Sequence, residues 1–168
     1  MFFDILVTVV FTAAVQSMFG TGVLLFGTPL LLLYGYDFQF ALTILLPTSI
    51  LINLLQLINK YKNIEIQFYK KLVLWTIPFI VFFLYIISFA SISINSIIGA
   101  FLILIALKEI NALVSRGIHI IIKYETLYLM IMGIIHGMTN LGGALLSAIV
   151  FSKSLSKEQT RATIAICY

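Results

Sequence analysis

The chain has 168 residues, 62% of them apolar and 10% charged, with ten Lys and Arg against six Asp and Glu and a formal charge of +4; its mean hydropathy is +1.16. That apolar share lies far above the usage of a soluble domain, so the chain reads as an all-α integral membrane protein. The basic residues sit between apolar spans and mark topology rather than a nucleic-acid partner, while one cysteine excludes an intramolecular disulfide.

Neither Cys167 nor the two histidines, His119 and His136, fall in a metal-ligand spacing. The sequence also lacks HExxH, GxSxG, a P-loop and paired carboxylates within its apolar spans. No enzyme activity, metal or cofactor is therefore implied. The opening Met1-Phe2-Phe3-Asp4 carries no basic region, and a cleaved signal peptide is not expected.

Residues 1–36 are apolar but interrupted by Gly20, Gly22, Gly27 and Pro29. A straight helix of that length would reach ~54 Å, against a hydrocarbon core of ~30 Å. The segment must bend, and two arms of about 16 residues each, meeting inside the membrane as a broken or re-entrant hairpin, are expected. A clean span follows at 38–59, on which Ser49, Asn53 and Gln56 form one polar line at i, i+4 and i+7. Such a line faces protein or water rather than lipid, and hydrogen bonding between helices accounts for it as well as a pathway does.

Lys60 to Lys71 reads as a loop, and 72–90 as a span kinked at Pro78, followed by a turn at Ser91 to Ser96. The next span is 97–114, with Lys108 near enough to its end to snorkel. Arg116 and Lys123 then bracket a connection containing His119. Residues 124–151 repeat the broken design of the opening, Ser152 to Arg161 is polar, and a further span starts at about residue 160.

Sliding the chain on itself by 120 positions aligns residues 11–48 with 131–168 without a gap. Met18, Gly22, Leu25, Gln39, Thr43 and Ile44 then meet Met138, Gly142, Leu145, Gln159, Thr163 and Ile164. We read 1–117 as a first repeat and 118–168 as the start of a second one. By this reading the last span is cut short, and the second repeat is truncated. All ten positive charges fall on one side of the implied topology, which the positive-inside rule makes cytoplasmic, with the N-terminus external. The repeats are then inverted, an arrangement that supports alternating access around a midplane site.

At each break the following arm starts inside the membrane, where unpaired N–H groups and the helix dipole favour an anion. The candidate substrate-binding residues are Gly20, Thr21 and Gly22 at the first break, and Thr139, Asn140, Gly142 and Gly143 at the second. The alternative reading of such glycines is close helix packing, as expected for Gly133 and Gly137. His136, its counterpart Gln16, and Ser17 at the depth of Gly137 are candidates for a proton or polar relay.

Three stretches carry a resemblance to a known family: FGTGVLLFGTPLLLLYG at Phe19 to Gly35, ALTILLPTS at Ala41 to Ser49, and GMTNLGGALLS at Gly137 to Ser147. Together they resemble the sulfite exporter TauE/SafE family of small membrane permeases, and Pro29 matches the proline that follows that family's first glycine cluster. The resemblance implies movement of a small anion, a sulfur-containing oxyanion or organosulfonate, across a prokaryotic plasma membrane. Its partners would be the anionic substrate and the lipid bilayer, and a homo-oligomer stays open. The competing readings are a structural membrane subunit that transports nothing, and a non-functional truncated remnant.

Overall fold

In a computed structural model, residues 2–58, 60–89 and 94–168 are described. They form helices and connecting turns, with no strand among the described residues. By its internal contacts the chain divides into two compact units, residues 1–69 with 143–168, and residues 70–142.

The first unit is built on α1 (Phe2–Phe19), α2 (Val23–Leu33) and α3 (Phe38–Leu57), each packed on the other two. The break between α1 and α2 falls at Gly20 to Gly22, so the arms are unequal at 18 and 11 residues. The break lies at the glycines where the sequence placed it, but the arms are not the equal ones of about 16 residues expected. An 18-residue helix spans ~27 Å and an 11-residue one only ~17 Å, so α1 is long enough to approach a full crossing and α2 by itself is not. Gly35 at φ 86 ends the hairpin, and Asp37 opens α3 by accepting the Gln39 N–H at 2.9 Å.

Burial in this unit differs from that of a soluble helix, with polar residues buried and many large apolar ones exposed. On α3 the buried positions are Ala41, Leu45, Ser49 and Asn53, while Leu51, Leu54 and Leu55 are more than half exposed. Small and polar residues thus share the protein-facing side of α3 with Leu45, while many of its large apolar residues face outward, as lipid as solvent allows. Val23, Leu24, Leu31, Ala41 and Leu45 form the buried centre, with Tyr168 packed against it. Gly27 permits this close approach, since a Cβ there would lie 2.8 Å from a Leu45 methyl.

A 3-10 turn at Tyr61–Asn63 follows α3. The polar loop expected from Lys60 to Lys71 is shorter than that, because α4 (Ile66–Phe89) takes Lys70 and Lys71 into its first turns. The later part of the first unit is α8 (Gly143–Phe151) and α9 (Lys157–Cys167). A capping box starts α9: the Gln159 N–H donates to Ser156 Oγ at 3.2 Å, and the Ser156 N–H to Gln159 Oε1 at 3.1 Å.

The second unit holds most of α4 with α5 (Ile94–Ile110), α6 (Ala112–Lys123) and α7 (Glu125–Thr139). Part of the turn expected at Ser91 to Ser96 lies outside the described residues. The span expected at 97–114 ends at Ile110, because Asn111 leaves helical geometry and caps a new helix, accepting the Leu113 N–H at 2.9 Å. The connection around His119 is thus helical, with apolar residues on one face and Arg116, His119 and Lys123 among its polar ones. Near its start α7 is tied to α4 by Lys71 and Glu125, 3.6 Å apart.

Among the described residues three helices are long and apolar enough to cross a membrane: Phe2–Phe19, Phe38–Leu57 and the Ile66–Ile87 part of α4. Within the second unit, α7 crosses α4 at backbone contact. A Cβ on Gly133 would lie 2.6 Å from the Thr76 carbonyl oxygen, and one on Gly137 2.7 Å from that of Ile80. Thr76 also donates its hydroxyl to the Leu129 carbonyl at 3.2 Å. Gly117 of α6, by contrast, has nothing within 4 Å of its missing Cβ. We therefore expect Gly133→Ala and Gly137→Ala each to lower the stability of the detergent-solubilised protein by about 1–3 kcal/mol, the usual cost of overpacking. Gly117→Ala should leave it unchanged or raise it. Unfolding midpoints that do not separate the two classes would contradict the α4–α7 contact.

Candidate functional site

The first break is set by backbone needs. Gly20, at φ 86, closes α1 by donating its N–H to the Gln16 carbonyl at 2.7 Å. The chain then runs extended through Gly22, and the first N–H of α2, that of Val23, donates to Gln16 Oε1 at 3.0 Å. Gln16 is fully buried, and its Nε2 donates to the Ser49 carbonyl at 3.2 Å and to Asn53 Oδ1 at 3.0 Å. Gln56 adds a bond from its own Nε2 to the Gln16 carbonyl at 3.3 Å. The polar line of α3 is thus consumed in holding α3 to the break. Gly22 is needed for this approach, because a Cβ there would lie 2.7 Å from the Gln16 nitrogen.

The start of α2 keeps donors that Gln16 does not take. The Tyr168 hydroxyl lies near the backbone N–H groups of Gly22, Leu24 and Leu25. It is buried and makes no hydrogen bond. The Tyr168 ring lies against Gly143 at the start of α8, so closely that a Cβ on Gly143 would collide with it. Thr21 and Ser147 join hydroxyls at 3.0 Å beside a largely apolar cleft of about 300 Å³ that Phe19, Leu25 and Phe151 also line. The first unit therefore brings Gly20, Thr21, Gly22 and Gly143 into one region with a tyrosine hydroxyl.

The second break falls in the other unit. Asn140, at φ 58, ends α7 in the left-handed region that Asn tolerates, and its N–H donates to the His136 carbonyl at 2.8 Å. Thr139 Oγ1 donates to the Ile135 carbonyl at 2.7 Å and accepts the Leu141 N–H at 3.1 Å. The Gly142 N–H donates to His136 Nδ1 at 3.1 Å, and a Cβ on Gly142 would lie 2.6 Å from the His136 Cβ. Asn140 Nδ2 is buried without a partner. Thr139, Asn140, Gly142 and His136 are thus assembled within the second unit.

Of the three relay candidates, Gln16 and His136 touch their breaks and Ser17 does not. Its hydroxyl donates back to Ala13 at 2.9 Å on an exposed surface. The sequence reading missed Tyr168, Ser147 and Arg161. Arg161 Nη2 donates to the carbonyls of Ser17 and Met18 at 3.1 and 3.0 Å, placing a cation on the C-terminal end of α1. With Lys60, Gln56 and Ser17 it lines a cavity of about 100 Å³. Lys60 in turn pairs with Glu158.

Chemically, the break regions offer N–H, hydroxyl and amide donors, and no Asp or Glu lies in either break sequence. Among the described residues no group of three or more His, Cys, Asp or Glu side chains could hold a metal ion. Donors without a nearby carboxylate suit an anion. Compared with known families, residues 5–168 match the model described as Sulfite exporter TauE/SafE. No curated protein and no solved structure matches the chain.

Gln16→Leu should be among the most damaging single changes in the first unit. It keeps the volume but leaves the Val23 N–H and Asn53 Oδ1 buried without partners, at about 1–3 kcal/mol for each. We expect a loss of stability in detergent of a few kcal/mol, read as a shifted unfolding midpoint. A neutral outcome would show that the break does not depend on this side chain.

Proposed function

We propose that this chain, which belongs to the sulfite exporter TauE/SafE family of membrane transporters, carries a small oxyanion or organosulfonate by alternating access. The observation that carries the reading is the start of α2. An 11-residue helix begins in an apolar interior, with the N–H groups of Gly22, Leu24 and Leu25 near one buried hydroxyl that makes no hydrogen bond. Backbone N–H groups at a helix start, with its positive dipole end, bind anions in many proteins. The Tyr168 hydroxyl can give way to a ligand oxygen or donate to it. Two breaks whose first arms supply equivalent caps, Gln16 and His136, support a pair of gates of common design.

On this reading the loops rich in Lys and Arg are cytoplasmic and the N-terminus is external. Arg161 and Lys60 would then line a positive vestibule on the cytoplasmic side, raising the local anion concentration. A second reading, in which the glycines serve packing alone, is favoured by the tight contacts of Gly22 and Gly142 with Gln16 and His136. Tyr168→Phe separates the two, since it removes only an oxygen that makes no structural bond.

In proteoliposomes holding the purified chain, labelled sulfite and labelled taurine should each be tested against empty vesicles. The transporter reading expects at least one to move faster with protein present. It also expects Tyr168→Phe to cut that rate about 10-fold with normal folding, in keeping with the loss of one hydrogen bond to a charged ligand. Well-folded protein that moves no small anion above the empty-vesicle rate would overturn the proposal.

A further inference from the structure

The two breaks are closed by residues at corresponding positions but of different chemistry. At the first, Gln16 Oε1 accepts the Val23 N–H at 3.0 Å; at the second, His136 Nδ1 accepts the Gly142 N–H at 3.1 Å. Gln16 and His136 are partners in the 120-residue offset, as are Gly22 and Gly142. A carboxamide oxygen stays an acceptor at any working pH. An imidazole nitrogen accepts only while it carries no proton.

We propose that His136 is a proton-binding site that unlatches the second break. A proton from water adds to Nδ1, one N–H bond forms, and the ring gains a positive charge. Nδ1 then faces the Gly142 N–H as donor against donor, so the hydrogen bond that closes the break is lost. The break now presents the His136 Nδ1–H and the released Gly142 N–H, together with Asn140 Nδ2, which is buried and unpartnered already. Protonation thus turns a satisfied turn into a cluster of donors carrying a positive charge, whose complement is an anion. If, as proposed above, the chain carries an anion, proton and anion binding at this break favour one another, and linkage makes the effect reciprocal.

Within the second unit His136 is the titratable side chain hydrogen-bonded to the break, and Tyr168 of the first unit lies against Gly143. On α7 the other charged residue is Glu125, near the helix start and paired with Lys71 of α4. Tyr128 is two turns before His136. On α4, which meets α7 at Gly133 and Gly137, the charges are Lys70 and Lys71 in its first turns, and Tyr85 is mostly exposed. From α5 and α6, Lys108 and His119 line a separate cavity, and Arg116 and Lys123 complete the described charges. The first break has no equivalent switch, since Gln16 does not titrate.

The chain has two histidines, so His119→Asn leaves His136 as the sole imidazole signal. The full chain in lipid nanodiscs, labelled with ¹⁵N in histidine and glycine, is titrated by NMR. At high pH the ring should be the Nε2–H tautomer with a bare Nδ1. As pH falls, Nδ1 should take up a proton, and the Gly142 amide should shift with the same midpoint. In His136→Asn, whose side-chain oxygen can replace Nδ1 as acceptor, the pH response of Gly142 should disappear. An Nδ1–H tautomer at high pH, a ring that stays neutral across the folded range, or a Gly142 amide that ignores the ring's titration would each overturn the proposal. The readout needs no transport. A latch that titrates in a chain that moves no anion would sink the transport reading alone, and transport without the coupled titration would sink the latch alone.

Discussion

The structure depends on one constraint: in lipid, every backbone N–H and C=O must find a partner within the protein. Continuous helices meet it without help. A helix broken inside the membrane does not, and each break here is closed by a side chain reaching back from the preceding arm. Gln16 serves the first and His136 the second. The rest of the local architecture supports those two contacts. Ser49 and Asn53 hold the Gln16 amide, Gly22 lets the turn lie against the Gln16 backbone, and Gly142 lets the His136 ring lie against its own turn. The C-terminal end of α1, beside the first break, meets the same constraint through Arg161, which binds carbonyls the helix leaves open.

Lipid also reverses the usual logic of burial. Large apolar side chains gain little by hiding, so helix contact is won by close packing and by hydrogen bonds. This explains why fully buried positions include Gln16, Thr12 and Thr28 while Leu33, Phe89 and Ile110 are largely exposed. It also explains the contact of α7 with the backbone of α4 at Gly133 and Gly137, the small-xxx-small pair that the sequence showed.

Much of this was legible in the residues because it is local. A Gly-Thr-Gly or Asn-Leu-Gly-Gly run in apolar sequence can be little but a break, and the i, i+4, i+7 line of Ser49, Asn53 and Gln56 announced a polar partner. The offset that paired Gln16 with His136 was visible too, though not that both would act as caps. What stayed hidden needed distant parts of the chain to meet. Nothing in the pattern brings Tyr168 to the start of α2, Ser147 to Thr21, or Arg161 to the end of α1. The helix at Ala112–Lys123 was missed for another reason: its three charged or titratable residues resembled a connection, whereas their spacing left an apolar face.

The chemistry left over after the caps are counted decides what the breaks can do. Gln16 and His136 each take one N–H, and the donors that remain are the N–H groups facing Tyr168 and the Asn140 amide. A cation would find neither carboxylate nor concentrated carbonyl oxygen in these turns, and carbonyls at the end of α1 are already held by Arg161. An anion meets donors at both. The two caps then differ in the atom that accepts, an amide oxygen that cannot be protonated against a ring nitrogen that can. Duplicated halves with identical caps would open and close under the same conditions. On the latch proposed for His136, a titratable acceptor at one break alone lets a proton act on that break and leave the other as it is.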